Sequence, residues 1–291
     1  MKKKELEEVK IDLNYKPSFS SDDTDLSVLM KNKWYRSTNG FILHYRLYVP
    51  ENYNKKYKYP LVTFFHGAGE VGKDNKKQLQ KRFVFLHRIL NKENLVKYPC
   101  IVIAPQCTKE DEWVKIRNFG LNYKMKENPQ TRSLEAFIEL VESLKAKYSI
   151  DNDRLYLTGL SLGGAATLDT IARNPNVFAC GISMCPYIAP IHDAESFKYA
   201  NLWQFHGIVD AVCPYKRSEE MYEAIKKKGY YTHLTTYPAA NHGQCWMWGY
   251  SNDMLLDYMF SSRRGKINEY LLNDNFCEDK YEHVMPETNK K

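Results

Sequence analysis

The chain has 291 residues, 43% of them hydrophobic and 14% aromatic, and a formal net charge of +7. That apolar content supports a buried core and excludes a disordered chain, and the length fits one large α/β domain or two small ones. Much of the positive charge sits in terminal lysines (Lys2, Lys3, Lys4, Lys290 and Lys291), which reads as solvated surface and argues against a nucleic-acid groove.

The first eight residues carry lysines with no apolar stretch behind them, so they do not read as a signal peptide. No run approaches the length of a membrane span. Seven scattered cysteines without C-x-x-C spacing suit free thiols in a reducing compartment. The expectation is a cytoplasmic protein, or a secreted one if a leader has been trimmed.

Residues 1–33 are polar and without sustained period, and read as an N-terminal extension that is either a tail or a strap. The first strand signal runs from Phe41 to Val49 and is closed by Pro50. Tyr59 to Phe65 is a continuous apolar run, as expected of a strand buried on both faces. Cys100 to Ala104 gives a third strand between two prolines. Leu134, Phe137, Ile138, Val141 and Leu144 then share one helical face, with Pro129 and Thr131 as start signals.

Arg154 to Thr158 reads as a strand, followed by a helix that ends at Asn174-Pro175. Strands at Gly181–Met184 and Leu202–Phe205 come next, then a helix from Ser218 to Ile225 and a strand from Thr232 to Tyr237. A last helix spans about Asp253 to Phe260. This alternation predicts an α/β fold with a mostly parallel central sheet and helices on both faces. It forms one domain over residues 34–262, with a charged C-terminal tail over 263–291.

Gly159-Leu160-Ser161-Leu162-Gly163 stands between that strand and a small-residue helix start. G-x-S-x-G in this setting marks a nucleophile elbow. A serine hydroxyl is a poor nucleophile, so it must stand on a sharp turn where a base can take its proton. In α/β-hydrolases an acid and then a histidine follow in the chain. Asp210 lies just past one strand and His242 just past the next, both at carboxyl ends, where open α/β sheets build their sites. Ser161, Asp210 and His242 are therefore the candidate triad. Asp210 has an alternative role as a turn residue before Pro214, and His242 as an ordinary loop histidine.

The remaining requirement is an oxyanion hole. Leu162 supplies the N–H after the nucleophile, and Ala68 in His66-Gly67-Ala68-Gly69-Glu70 is the second candidate donor. His66 and His206 each end a strand before glycine and read as braces for neighbouring loops. Cys213 and Cys245 each lie three residues after a triad candidate. They are either thiols that meet in space or two separate buried ones.

His66-Gly67-Ala68-Gly69-Glu70-Val71-Gly72-Lys73-Asp74-Asn75 resembles the H-G-A-G-E-x-G-x-D-N stretch of esterases often labelled predicted peptidases. These are akin to the carbohydrate esterases that include feruloyl and acetyl xylan esterases. Arg154 to Gly164 is similar to their nucleophile segment, with Leu162 where Met is commoner. His206 to Pro214 resembles their acid loop, with Cys213 in place of the usual Val, and Tyr237 to His242 resembles their histidine segment. The likeness runs from about Trp34 to Phe260. It implies an α/β-hydrolase fold and a serine carboxylic ester hydrolase, with Ser161 as nucleophile, His242 as base and acid, and Asp210 as the orienting carboxylate. Glu70 and Asp74 would hold the oxyanion loop.

Substrate choice is expected in the loops above the sheet edge, with Trp113, Tyr187 and Trp246 either candidate substrate contacts or ordinary core and rim aromatics. A small-molecule or carbohydrate-linked ester is the expected substrate, including plant cell-wall acyl esters. A peptidase or acyltransferase on the same scaffold, and a binding protein without activity, are the competing readings. No H-E-x-x-H spacing or dinucleotide fingerprint is present, so no metal and no cofactor are expected. Nothing in the sequence sets the oligomeric state.

Overall fold

The computed structural model describes residues 25–80, 82–115 and 122–272. Eight strands form one sheet: β1 Lys31–Arg36, β2 Ile42–Tyr48, β3 Tyr59–Phe65, β4 Ile101–Gln106, β5 Ile150–Leu160, β6 Cys180–Met184, β7 Asn201–Gly207 and β8 Thr232–Tyr237. Eight helices accompany them: α1 Leu26–Leu29, α2 Val84–Ile89, α3 Lys92–Lys97, α4 Arg132–Lys147, α5 Leu162–Arg173, α6 Lys216–Lys227, α7 His242–Ser251 and α8 Leu255–Ser261. The strand order is β1-β2-β4-β3-β5-β6-β7-β8. The two pairings that involve β2 are antiparallel, and every other pairing is parallel.

Period-two alternation along the central strands sorts the core into two layers. Leu61 and Phe65 of β3, Ile101 and Ile103 of β4, and Leu155 and Leu157 of β5 meet α4, α5 and α6 on one face. Val62 and Phe64, Val102 and Ala104, and Tyr156 and Leu160 meet α2, α7 and α8 on the other. Both faces are covered, which is why these strands read as unbroken apolar runs. None of the helices among the described residues is long and apolar enough to cross a membrane.

Several elements carry no periodic sequence signal. β1 is mostly exposed, and Lys31, Lys33 and Arg36 place charges along an edge strand, where they discourage pairing with another chain. It exists through its register with β2, from Lys31 opposite Leu47 to Arg36 opposite Ile42. Just before it, buried Arg46 donates to the carbonyls of Ser27 and Met30, tying α1 to the sheet. Helix α2 has six residues and is buried nearly all round, too short and too enclosed to show a helical period. Its Arg88 donates to the carbonyls of Tyr250 and Asn252 at 2.6 and 2.7 Å, and so caps the C-terminal end of α7 with a cation.

Candidate active site

Ser161 stands between β5 and α5 with φ 54° and ψ −115°. A side-chain-bearing residue in that region is strained by about 1–3 kcal/mol, so the surroundings must impose it. They do so by close approach. A Cβ on Gly163 would lie 2.1 Å from the Phe65 carbonyl oxygen, and one on Gly159 would lie 2.3 Å from that of Gly163. Only glycines let α5 start this near the ends of β3 and β5. The Ser161 N–H donates to Met184 O at 2.9 Å, which anchors the turn to β6.

Leu162 is the first residue of α5, and Ala68 is the first of a short 3-10 turn, Ala68–Glu70. The N–H groups of a helix's first turn have no partner inside the helix, so both are available to an anion. His66 holds the Ala68 side of this pair. The Cys107 N–H donates to His66 Nε2 at 3.2 Å, which leaves the proton on Nδ1, 2.7 Å from Gly67 O. Burial lowers the His66 pKa to about 4, so the ring stays neutral.

The sequence reading missed Gln106 and underrated Asn75. Gln106 closes β4, accepts from the Asn75 N–H at 2.6 Å and donates to Glu70 O at 2.8 Å. The Asn75 amide donates to the carbonyls of Tyr45 and Lys33, and its backbone adopts φ 53°. A glutamine at the end of an otherwise apolar strand was the available signal. Glu70 itself is buried and paired with Arg82, and Asp74 accepts from the N–H groups of Lys76 and Lys77.

Asp210 follows β7 and His242 opens α7 just after β8, which brings the two together at the same edge of the sheet. His242 Nδ1 donates to Asp210 Oδ2 at 2.6 Å. The other carboxylate oxygen accepts from the N–H groups of Val212 and Cys213 at 2.9 and 2.8 Å. Burial pulls the Asp210 pKa upward. Hydrogen bonds from His206, His242 and the Cys213 N–H outweigh burial and hold the carboxyl well below its usual range.

His206 braces this loop as well as the acid. Its Nε2 donates to Cys213 O at 2.8 Å and lies 3.4 Å from Asp210 Oδ2, and its Nδ1 accepts from the Ser218 hydroxyl at 2.7 Å. His242 is aimed by a capping box in which Asn241 and Gln244 exchange side-chain-to-backbone bonds. That pair was the sequence signal for α7, which the strand-and-helix reading left out.

The Ser161 hydroxyl and His242 Nε2 each contact the Cys213 thiol, at 3.9 Å in both cases. Cys213, Cys185 and Cys245 are fully buried free thiols beneath the site. Cys185 adopts φ 36° and places its thiol 3.8 Å from His242 O. Burial pushes the Cys213 thiol up to about 12.

The three candidate substrate contacts divide. Trp113 is wholly buried, with its ring 5.1 Å from that of Phe65 and 5.3 Å from that of His66. It therefore packs behind the loop that begins at His66, which corrects the expectation that it faces substrate. An indole after an apolar strand is as easily drawn into the core as onto a rim. Tyr187 is half-buried, and its N–H donates to Ser161 O at 3.4 Å. Trp246, one turn along α7, is half-buried and meets the His242 ring edge-on at 5.0 Å.

Residues 40–254 match the family model described as "Putative esterase". Among solved structures, the chain is similar to a thermostable esterase at 30% identity and a TM-score of 0.71, covering 81% of this chain and 64% of the other. An acylaminoacyl peptidase in complex with Z-Gly-Gly-Phe-chloromethyl ketone aligns at 16% identity and a TM-score of 0.59, over 84% of this chain and 44% of the other. A Pyrococcus horikoshii acylaminoacyl peptidase gives 15% identity over the same shares, with a TM-score of 0.59. The chain thus spans less than two thirds of the length of these proteins. The shared architecture is the α/β-hydrolase fold.

Proposed function

The chain belongs to this esterase family, and on that premise we propose that it is a serine carboxylic ester hydrolase acting through an acyl-enzyme. The observation that carries the reading is the convergence of a strained Ser161, paired helix-start N–H groups and an Asp210-bonded His242 on one sheet edge. In this reading His242 Nε2 takes the proton of the Ser161 hydroxyl as Oγ attacks the ester carbonyl. The N–H groups of Ala68 and Leu162 receive the developing oxyanion. Asp210, ionised and buried, fixes the His242 tautomer with its proton on Nδ1 and stabilises the imidazolium that forms. His242 then protonates the departing alcohol, and water repeats the sequence to release the acid. The Ser161 hydroxyl and His242 Nε2, each resting on the Cys213 thiol at 3.9 Å, come into direct hydrogen-bond reach when substrate is bound.

Aromatic acyl esters of the feruloyl type are the proposed substrate class. The half-buried Trp246 ring beside His242, and Tyr187, half-buried and tied to Ser161 through its backbone, are the aromatic groups that support this reading. A fluorophosphonate probe should label the wild type, and Ser161→Ala should abolish labelling. A wild type that resists the probe overturns the nucleophile assignment. Methyl ferulate should be hydrolysed faster than short acetate esters, and activity on acetates alone overturns the substrate class.

A further inference from the structure

We propose that the floor of this site is also a binding site for a thiophilic divalent cation, with zinc as the type case, formed by Cys213, His242 and Ser161. Zinc held there would occupy the base and the nucleophile together and so switch hydrolysis off. The proposal stands on the two contacts that the Cys213 thiol makes, with His242 Nε2 and with Ser161 Oγ, and it does not depend on which ester the enzyme takes.

Cys213 Sγ is 3.9 Å from His242 Nε2 and 3.9 Å from Ser161 Oγ. Ligand atoms around one tetrahedral zinc stand about 3.5 Å apart, given Zn–S near 2.3 Å and Zn–N near 2.0 Å. The thiol therefore needs to shift by only a few tenths of an ångström to share an ion with the imidazole. His242 is already prepared as a ligand. Its Nδ1–H is committed to Asp210 Oδ2 at 2.6 Å, which leaves the Nε2 lone pair on the side of the Cys213 thiol. A carboxylate behind a histidine is the arrangement that orients and strengthens imidazole ligands in zinc sites. The Ser161 hydroxyl supplies a third donor, and water from the substrate side supplies the fourth.

The neighbouring set of Cys185, Asp210 and His242, whose donor atoms lie within 4.8 Å of one another, is the poorer choice. An ion there would have to break the Asp210–His242 hydrogen bond, whereas the Cys213 site keeps it. Binding at Cys213 replaces the S–H bond with S–Zn and passes one proton to water, since a coordinated thiol is deprotonated. Soft sulfur and imidazole nitrogen select zinc, and disfavour magnesium and calcium.

The experiment compares wild type, Cys213→Val, Cys213→Ser and Cys185→Ser, each against its own metal-free rate. Zinc should inhibit the wild type and Cys185→Ser reversibly, with activity restored by a chelator and unaffected by a phosphine reductant that carries no thiol. Magnesium and calcium should not inhibit. Both Cys213 variants should need about tenfold more zinc or greater for the same inhibition. A cobalt titration gives a readout free of turnover: a thiolate-to-metal charge-transfer band should appear in the wild type, in Cys185→Ser and in catalytically dead Ser161→Ala. Equal zinc sensitivity in the wild type and both Cys213 variants, or a cobalt band that survives loss of Cys213, overturns the proposal. An inactive wild type with an intact cobalt band would refute the esterase reading and leave the metal site standing.

Discussion

The backbone N–H of Cys107 donates to Nε2 of His66, and this one bond fixes the histidine proton on Nδ1, where it holds the Gly67 carbonyl. The turn that carries Ala68 thus depends on a neutral imidazole sealed in the core. Burial lowers the His66 pKa to about 4, below the value near 6.5 that an unfolded histidine has. Between these values the unfolded chain binds a proton that the folded chain refuses, so stability is full above about pH 6.5 and falls as pH drops toward 4. His66 alone should remove on the order of 3 kcal/mol across that window, and half-buried His233, also lowered to about 4, adds a smaller share of the loss. Denaturant unfolding followed from pH 7 to 4 checks this, and His66→Gln should flatten the slope.

Asp210→Asn should lower kcat by about three to four orders of magnitude with little change in KM. The amides of Val212 and Cys213 would keep the side-chain oxygen of the new asparagine, which turns its NH2 group toward His242. His242 Nδ1 must then accept, so the ring proton moves to Nε2 and the base is lost. Steady-state kinetics on the variant checks the split, and circular dichroism checks that the loop bonds preserve the fold.

Two glycines of the same region should respond with opposite signs to alanine. A Cβ on Gly163 would meet the backbone oxygens of Phe65 and His66 at 2.1 and 2.6 Å, and neither can yield. Gly163→Ala should cost more than about 3 kcal/mol or prevent folding. In α7 the nearest atom to a Cβ on Gly243 is 3.7 Å away, and Gly243→Ala should stabilise by up to about 1 kcal/mol. Thermal unfolding of the pair separates the two.

Trp113 and Trp246 should differ in kind. Trp113→Ala empties a buried site against Phe65 and His66 and should destabilise by about 3–5 kcal/mol, with lost activity as a consequence of the disturbed loop. Trp246→Ala removes a half-buried ring beside His242 and should leave stability nearly unchanged while raising KM for aromatic acyl esters. Unfolding curves and KM values on the two variants distinguish support from contact.

The sequence by itself determined the elements that repeat at short range and the order in which the chemistry arrives. The apolar runs of β3, β4 and β5, the helical face of α4 and the turn signal around Ser161 are local properties, set by a few neighbouring residues. The placing of Ser161, Asp210 and His242 just past the ends of β5, β7 and β8 followed from that reading. Only the tertiary structure decided which donors face one another across the sheet. Gln106 serving Asn75 and Glu70, His206 behind Asp210, the burial of Trp113 and the Cys213 thiol against both Ser161 and His242 join residues far apart in the chain. Such contacts leave no period in the sequence, because each depends on packing between elements that pattern alone does not bring together. The capping box at Asn241 and Gln244 lies between the two cases: it was written locally, and only the helix it starts shows where it aims His242.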